Sequence, residues 1–191
     1  MDIENYLDRL DAFHALSPGL RAYLKTIVKE ERFEKGSRIL LSEGKLNFYP
    51  FLTQGSLKLM VTDQQSSEET NLLFCFEDEF FHHYNQFYID PNRKLVVEFL
   101  QETRLLSINE AHYANIQKLF HETYRLNLSF NANQMGNLIY HLYIRNTFRA
   151  KDRYKMSLKK YPKLGTRISV KDMATFLGVD QKTLSRLRSE I

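Results

Sequence analysis

The 191-residue sequence lacks several features that would mark common classes of protein. Its one cysteine, Cys75, excludes a disulfide, a cysteine zinc site and a cysteine-ligated iron-sulfur cluster within one chain, and between two phenylalanines it is predicted to be buried. The seven glycines are scattered singly and build no phosphate-cradling loop, and serine or cysteine nucleophile motifs are missing. No run approaches the roughly 18 apolar residues of a membrane span, and the acidic, polar N-terminus has no signal-peptide core. We therefore expect a soluble, cytoplasmic protein without a cofactor.

Negative charge is scarce near the C-terminus. Residues 149–191 contain 12 Lys or Arg against 4 Asp or Glu, a local charge of +8. Residues 1–148 contain 15 against 19, a local charge of −4. A change of sign at a plausible domain boundary predicts that the C-terminal part meets a polyanion.

The stretch from Arg32 to Ile108 is typical of an all-β domain. Short runs rich in β-branched, aromatic and leucine residues alternate with turn signals: RILL, FYPFL, LKLMV, NLLFCF, KLVVEFL and TRLLSI. Their spacing of about 8 to 15 residues predicts a β-sandwich or roll. In LKLMV the two-residue period places Lys58 on the face opposite to Leu57 and Leu59. A short helix precedes the strands, with Ser17 as its cap and a proline at its first position.

A helical period replaces the strand pattern after Asn109. Apolar residues then recur every three or four positions and predict a helix of about seven turns from Glu122 to about Phe148. The members of this stripe are Tyr124, Leu128, Ala132, Met135, Ile139 and Leu142. A long helix with a narrow stripe favours a seam between two chains, and packing of the helix along its own domain is the alternative. Five amides make the seam only partly apolar: Asn127, Asn131, Asn133, Gln134 and Asn137.

The strongest local pattern is the C-terminal RISVKDMATFLGVDQKTLSRLRSEI. Ser169 caps a first helix, Gly178 suits the left-handed backbone of a tight turn, and Asp180 caps a second helix that starts at Gln181. The residues expected to face inward are Met173, Leu177, Val179, Leu184 and Leu187. Those left outside are Gln181, Lys182, Ser185, Arg186 and Ser189. The pattern predicts a helix-turn-helix. An ordinary pair of packed helices also fits the spacing, but the basic surroundings favour DNA binding.

The chain resembles the Crp/Fnr-type transcription regulators, which have a cyclic-nucleotide-binding-like domain. KGSRILLSEG, FLTQGSLKLMV and RYKMSLKKYPKLGTRISVKDMATFLGVDQKTLSRLR carry the resemblance, in family order and over nearly the whole chain. It implies an α+β fold, with a double-stranded β-helix (jelly-roll) sensor domain over 1–121, a dimerisation helix over 122–148 and a winged-helix-like helix-turn-helix domain over 149–191. It further implies a homodimer that binds double-stranded DNA, with RNA polymerase as a candidate partner and a small-molecule effector of unknown identity.

The resemblance also assigns residues to the DNA interface. By position, the base-reading residues are Gln181, Lys182 and Arg186, with Ser185 available beside them. The predicted phosphate contacts are Lys159, Lys160, Lys163, Arg167 and Arg188. The family often has Arg-Glu at the start of its recognition helix, so Gln181-Lys182 predicts a different operator. The sequence stops at Ile191, and no β-wing is expected after the recognition helix.

The effector site follows the family less closely. Members that bind cyclic nucleotides resemble one another in a Gly-Glu pair and an Arg-Ser pair that hold the ribose and the cyclic phosphate. The matching positions here are His82-His83 and Arg93-Lys94. These four residues are the candidate effector-pocket residues, and cyclic AMP is not the expected ligand.

Two other classes of function also fit an all-β domain. One is a metal-dependent, cupin-like enzyme, with Glu79, His82 and His83 as the only ligands close in sequence. Adjacent histidines on a strand point to opposite faces, so we expect surface or pocket-lining histidines, no metal site and no enzyme. The other is a ligand-binding adaptor that does not bind DNA.

Overall fold

A computed structural model describes residues 3–43, 46–82 and 92–189. Two helices begin the chain, α1 (Ile3–Asp11) and α2 (Pro18–Ile27). The Ser17 hydroxyl accepts the Leu20 N–H at 3.2 Å, which confirms the predicted cap of α2. Among the described residues, no helix has both the length and the apolar content that a membrane crossing requires.

Within the described residues, seven strands form two antiparallel sheets. They are β1 (Lys29–Phe33), β2 (Arg38–Leu40), β3 (Phe48–Gln54), β4 (Ser56–Asp63), β5 (Glu69–Phe76), β6 (Arg93–Phe99) and β7 (Thr103–Ile108). One sheet has the order β1-β7-β3 and the other β2-β6-β4-β5. Each of the six predicted runs forms a strand, whereas β1, a polar strand that pairs with β7, was not predicted. The α+β class of the prediction is confirmed.

The two sheets enclose a shared apolar core. Leu52 and Leu105 from one sheet pack with Leu57, Val97 and Phe99 from the other, and all five are inaccessible to solvent. Cys75 lies in the same core and is buried, as predicted. A second cluster lies between the first sheet, α1, α2 and the helices that follow β7. The two sheets β1–β7, here called the β-sheet unit, therefore share one apolar core, and the C-terminal helices pack on the outside of this unit.

A short helix and a long helix follow the strands. They are α3 (Glu110–Leu119) and α4 (Glu122–Thr147), and α4 confirms the predicted long helix to within one residue. Leu126, Phe130 and Ile144 are buried against the rest of the chain. The predicted stripe lies on the opposite side, and its large members are each more than half exposed: Tyr124, Leu128, Met135, Ile139 and Leu142. One face of α4 thus packs on its own chain while a second apolar face is left uncovered.

The chain continues into four short helices. They are α5 (Ala150–Lys160), α6 (Lys163–Arg167), α7 (Val170–Leu177) and α8 (Gln181–Ser189). Residues 149–189 contain helices and no strand, so the described residues form no β-wing. A third apolar cluster joins these helices to the outer face of β5, where Phe74 lies 5.2 Å from Phe176 between ring centroids.

Candidate nucleic-acid interface and interior cavity

Local capping sets the two helices of the candidate DNA-binding motif. The Ser169 hydroxyl accepts the Asp172 N–H at 3.0 Å and begins α7. Gly178 ends α7 with φ 65° and ψ 45°, a left-handed conformation that glycine adopts without a Cβ penalty. The Asp180 carboxylate then accepts the Thr183 N–H at 2.8 Å and begins α8. Both helix starts and the turn between the helices therefore lie where the sequence predicts them.

Buried residues fix the orientation of α8. Leu184 and Leu187 are buried against Met173, Ala174 and Leu177 of α7. Val179, also predicted to face inward, is only half-buried at the turn. Ala174 is 1% exposed, and its small side chain allows α7 and α8 to approach closely. Because both leucines point into the core, the opposite face of α8 is set toward solvent.

The proposed base-reading residues lie on that opposite face. Gln181, Lys182, Ser185 and Arg186 are all exposed. Arg188 is exposed as well, and its guanidinium donates to the Gly165 carbonyl of α6 at 2.9 Å. Four polar side chains on the exposed face of α8 are therefore free to face a groove of duplex DNA. The Arg188 hydrogen bond joins the C-terminal end of α8 to α6.

The five proposed phosphate contacts are not equivalent. Lys159 is exposed, whereas Lys160 turns inward: its ammonium donates to the Asn137 side chain at 3.0 Å and lies 4.1 Å from the Tyr140 ring centroid. Burial lowers the pKa of Lys160. Lys163 and Arg167 form ion pairs with Glu77 of the β-sheet unit, at 3.0 and 2.5 Å. Of the five, Lys159 and Arg188 therefore have exposed side chains that neither pair with a carboxylate nor turn inward.

A buried polar cluster anchors α7 to the β-sheet unit. The Lys58 ammonium lies 2.6 Å from the Asp172 carboxylate, and its side chain is 4% exposed. The Asn71 amide donates to the Asp172 carbonyl at 2.9 Å and to the Thr175 hydroxyl at 2.8 Å. Burial would raise the pKa of Asp172, but hydrogen bonds from Lys58, Ser169 and Asn71 outweigh it and lower the pKa. The same carboxylate thus accepts from the Ser169 hydroxyl that caps α7 and from Lys58 and Asn71, which hold α7 on β4 and β5.

A cavity of about 460 Å³ lies between β5, the residues after it, α4 and the C-terminal helices. Its walls are mainly aromatic and aliphatic, and its polar lining includes Glu79, Asn137, His141 and Lys160. Burial raises the pKa of Glu79, whose carboxylate accepts the Phe76 N–H at 2.9 Å. A cavity of this size and composition is suited to a small molecule with a few polar groups.

The candidate effector residues are separated in the structure. His82 lines the cavity. Arg93 and Lys94 begin β6, are exposed and do not line it, and the Arg93 guanidinium lies 3.4 Å from the Asp63 carboxylate. His83 falls outside the described residues. Within the described part of the chain, no three His, Cys, Asp or Glu side chains come close enough together to hold a metal ion.

We expect His141 to make the folded state sensitive to acid. Its ring stacks on Phe176 at 4.2 Å between centroids, and burial, then the charges of Arg145 and Lys160, lower its pKa to about 4. An unfolded histidine takes up a proton near pH 6.5, so stability is lost as pH falls from about 6.5 toward 4. Because of this histidine, we expect the free energy of unfolding to be about 1 to 2 kcal/mol lower at pH 5 than at pH 7.5. This range allows for the partial exposure of the side chain.

Urea unfolding of wild type and His141→Gln at both pH values measures this effect. The variant should show a smaller difference between the two pH values. An equal difference in both proteins would contradict the role of His141.

Comparison with solved structures places this geometry among known folds. The chain is similar to a transcriptional regulator assigned to the Crp/Fnr family from Eubacterium rectale, with TM-score 0.66, 14% identity, and coverage of 94% of this chain and 85% of that one. It is similar to FixK2 from Bradyrhizobium japonicum, with TM-score 0.67, 14% identity, and coverage of 86% and 84%. It is also similar to a CooA mutant from Carboxydothermus hydrogenoformans, with TM-score 0.64, 16% identity, and coverage of 95% and 82%. No family model and no curated protein sequence matches the chain. The chain has the fold of Crp/Fnr-family transcription regulators, and the resemblance seen in the sequence is confirmed at that level.

Proposed function

We propose that this protein is a dimeric, sequence-specific DNA-binding transcription regulator of the Crp/Fnr type, acting in the cytoplasm. Residues 1–121 would form a jelly-roll sensor domain, 122–148 the dimerisation helix and 149–191 the helix-turn-helix domain. The observation that carries the proposal is α8: its leucines are buried and its polar and basic side chains are exposed, in a chain with the fold of known regulators. RNA polymerase is a candidate partner of the DNA-bound form.

The physical basis is the match between a helix and the major groove. The groove is about 12 Å wide and admits one α-helix, whose side chains then reach the base edges. Gln181 and Lys182 stand in the first turn of α8, with Ser185 and Arg186 one turn later on the same side. The Arg186 guanidinium is the one planar fork among them and is suited to guanine O6 and N7.

Selection of bound sites from random duplex DNA tests the proposal directly. The full chain should enrich a site with two related half-sites whose centres are about one helical turn, roughly 34 Å, apart. A variant with alanine at Gln181, Lys182, Ser185 and Arg186 is the control and should enrich no common sequence. A wild-type pool that stays random after several rounds would rule out sequence-specific binding and leave the adaptor hypothesis.

We further propose that the interior cavity receives the effector, which is not cyclic AMP. Supporting this, the matching positions have His82-His83 in place of Gly-Glu, and Arg93 lies away from the cavity. A cyclic nucleotide there would leave buried polar groups unpaired, at roughly 1 to 3 kcal/mol each.

Titration calorimetry of the full chain with cyclic AMP should therefore show no site with a dissociation constant in the micromolar range or below. Buffer injected into protein, and cyclic AMP injected into buffer, are the controls. A saturable isotherm at one ligand per chain would contradict the prediction.

A further inference from the structure

Glu77, the first residue after β5, holds two cations of α6. One carboxylate oxygen accepts from the Lys163 ammonium at 3.0 Å and from the Arg167 guanidinium at 2.5 Å. Lys163 also donates to the Glu77 backbone carbonyl at 3.3 Å. Lys163 and Arg167 are four positions apart on α6, so their side chains meet on one side of that helix. A single acidic group of the β-sheet unit thus neutralises part of the charge of the C-terminal helices.

A backbone hydrogen bond from the β-sheet unit also holds the Glu77 carboxylate in place. Its second oxygen accepts the Gly55 backbone N–H at 3.0 Å, in the turn between β3 and β4. Burial would raise the pKa of Glu77, but hydrogen bonds from Arg167 and Lys163 lower it to about 2. Glu77 is therefore anionic at every pH at which the protein is expected to work, and the contact responds to competing anions rather than to pH.

We propose that Glu77 takes the place of a DNA phosphate on α6 and competes with DNA for Lys163 and Arg167. The inference depends on the proposed function and adds a means of its regulation. Two features support it: a carboxylate and a phosphodiester each offer one negative charge to such cations, and α6 is joined to the recognition helix through Arg188 and the Gly165 carbonyl. DNA binding that uses these two cations must then break their ion pairs with Glu77.

The ion pairs at Lys58 and at Glu77, which both join the β-sheet unit to the C-terminal helices, differ in accessibility. Lys58 at the α7 anchor is 4% exposed, and breaking its 2.6 Å pair with Asp172 would leave a buried ammonium with the more distant Glu98 carboxylate at 3.6 Å, which is costly. The Glu77 side chain is 21% exposed, with Lys163 at 44% and Arg167 at 27%. Water, salt and phosphate can reach this second cluster. We therefore expect a phosphate to replace the Glu77 carboxylate at Lys163 and Arg167, while the buried ion pair between Lys58 and Asp172 stays intact.

The salt dependence of DNA binding measures the competition. Each cation that newly meets a phosphate steepens the slope of log affinity against log salt concentration by about 0.9, through counterion release. Glu77→Gln keeps the shape of the side chain and removes its charge. For this variant, fluorescence anisotropy with a labelled duplex should give an affinity roughly three- to tenfold higher than wild type near 0.1 M salt. Its slope should be steeper by about one to two for each chain.

Glu69→Gln is the matched control. Glu69 pairs with Arg38 inside the β-sheet unit at 2.7 Å, so its substitution removes the same charge without freeing a cation of α6. Equal effects of Glu77→Gln and Glu69→Gln would overturn the inference and leave only a change in net charge. Wild-type protein that binds no duplex at any salt concentration would instead overturn the proposed function.

A double-mutant cycle with Arg167→Gln gives a second measurement. While Glu77 occupies Arg167, Arg167→Gln should change DNA affinity less than twofold. In the Glu77→Gln background, the same substitution should lower affinity by about threefold or more. Additive effects would overturn the inference. Circular dichroism checks that each variant is folded, and Glu77→Asp, with a shorter reach, replaces Glu77→Gln if that variant does not fold.

Discussion

A single charge in the exposed stripe of α4 should convert the protein from dimer to monomer. We expect Met135→Glu or Ile139→Glu to give a particle of 22.7 kDa where wild type gives twice that mass. The two positions are 61% and 57% exposed in one chain and, in a two-fold dimer, would lie at the centre of the seam. Burial of an unpaired carboxylate costs roughly 3 kcal/mol or more, and two-fold symmetry buries it twice, which raises the dissociation constant by about 10⁴.

Light scattering at micromolar concentration measures the mass of each variant. Asn115→Glu, an exposed neutral-to-acidic change on α3, is the control and should remain dimeric. The monomeric variants should also lose specific DNA affinity, because each chain would hold only one half-site. Wild type that scatters as a 22.7 kDa particle would defeat the dimer hypothesis outright.

Arg186→Ala should have the largest effect of any single substitution on base discrimination. Arg186 is exposed on α8 above buried Leu184 and Leu187, so its loss removes a side chain without disturbing the core. A bidentate contact to guanine contributes about 1 to 3 kcal/mol of discrimination. We therefore expect specific affinity to fall about ten- to one-hundred-fold and the preference at one base pair of each half-site to relax.

Lys159→Ala is the matched control for a phosphate contact. Lys159 is exposed near the end of α5. Its substitution should weaken binding to all duplexes alike and flatten the salt dependence of the affinity. Lys160 is unsuited to this comparison, because its ammonium faces Asn137 and Tyr140 inside the chain. If Arg186→Ala kept both the selected sequence and the specific affinity, the register of the recognition helix would have to be abandoned.

The secondary structure of the C-terminal motif could be predicted because its signals are local. Ser169, Gly178 and Asp180 each act on backbone groups within about three residues, so their effect is visible in the sequence. The strand runs and the length of α4 are local in the same sense, since each has its own apolar period. β1 was missed because KEERF has no apolar alternation, and pairing with β7 from some 70 residues away makes it a strand.

The environment of α4 needed the tertiary structure. The sequence suggested that amides would dilute the apolar seam. Asn127 instead hydrogen-bonds with Tyr49 and Gln117, and Asn137 accepts from Lys160, so both amides serve the interior of their own chain. The sequence also left two alternatives for α4, a seam between two chains and packing along its own domain. The helix offers a separate face for each, since Leu126 and Phe130 are buried opposite the exposed stripe.

Local patterns in the sequence predict six of the strands, the long helix α4, the two helices of the C-terminal motif and the polar side of α8. Which charges are available to a partner depends instead on the tertiary structure. Lys58 has the alternation of a solvent-facing residue, yet the C-terminal helices cover it and pair it with Asp172. Lys163 and Arg167 have the charge of phosphate contacts, yet Glu77, 86 and 90 residues earlier in the chain, accepts from both. A propensity acts over a few residues, whereas an ion pair depends on where distant segments meet in the fold.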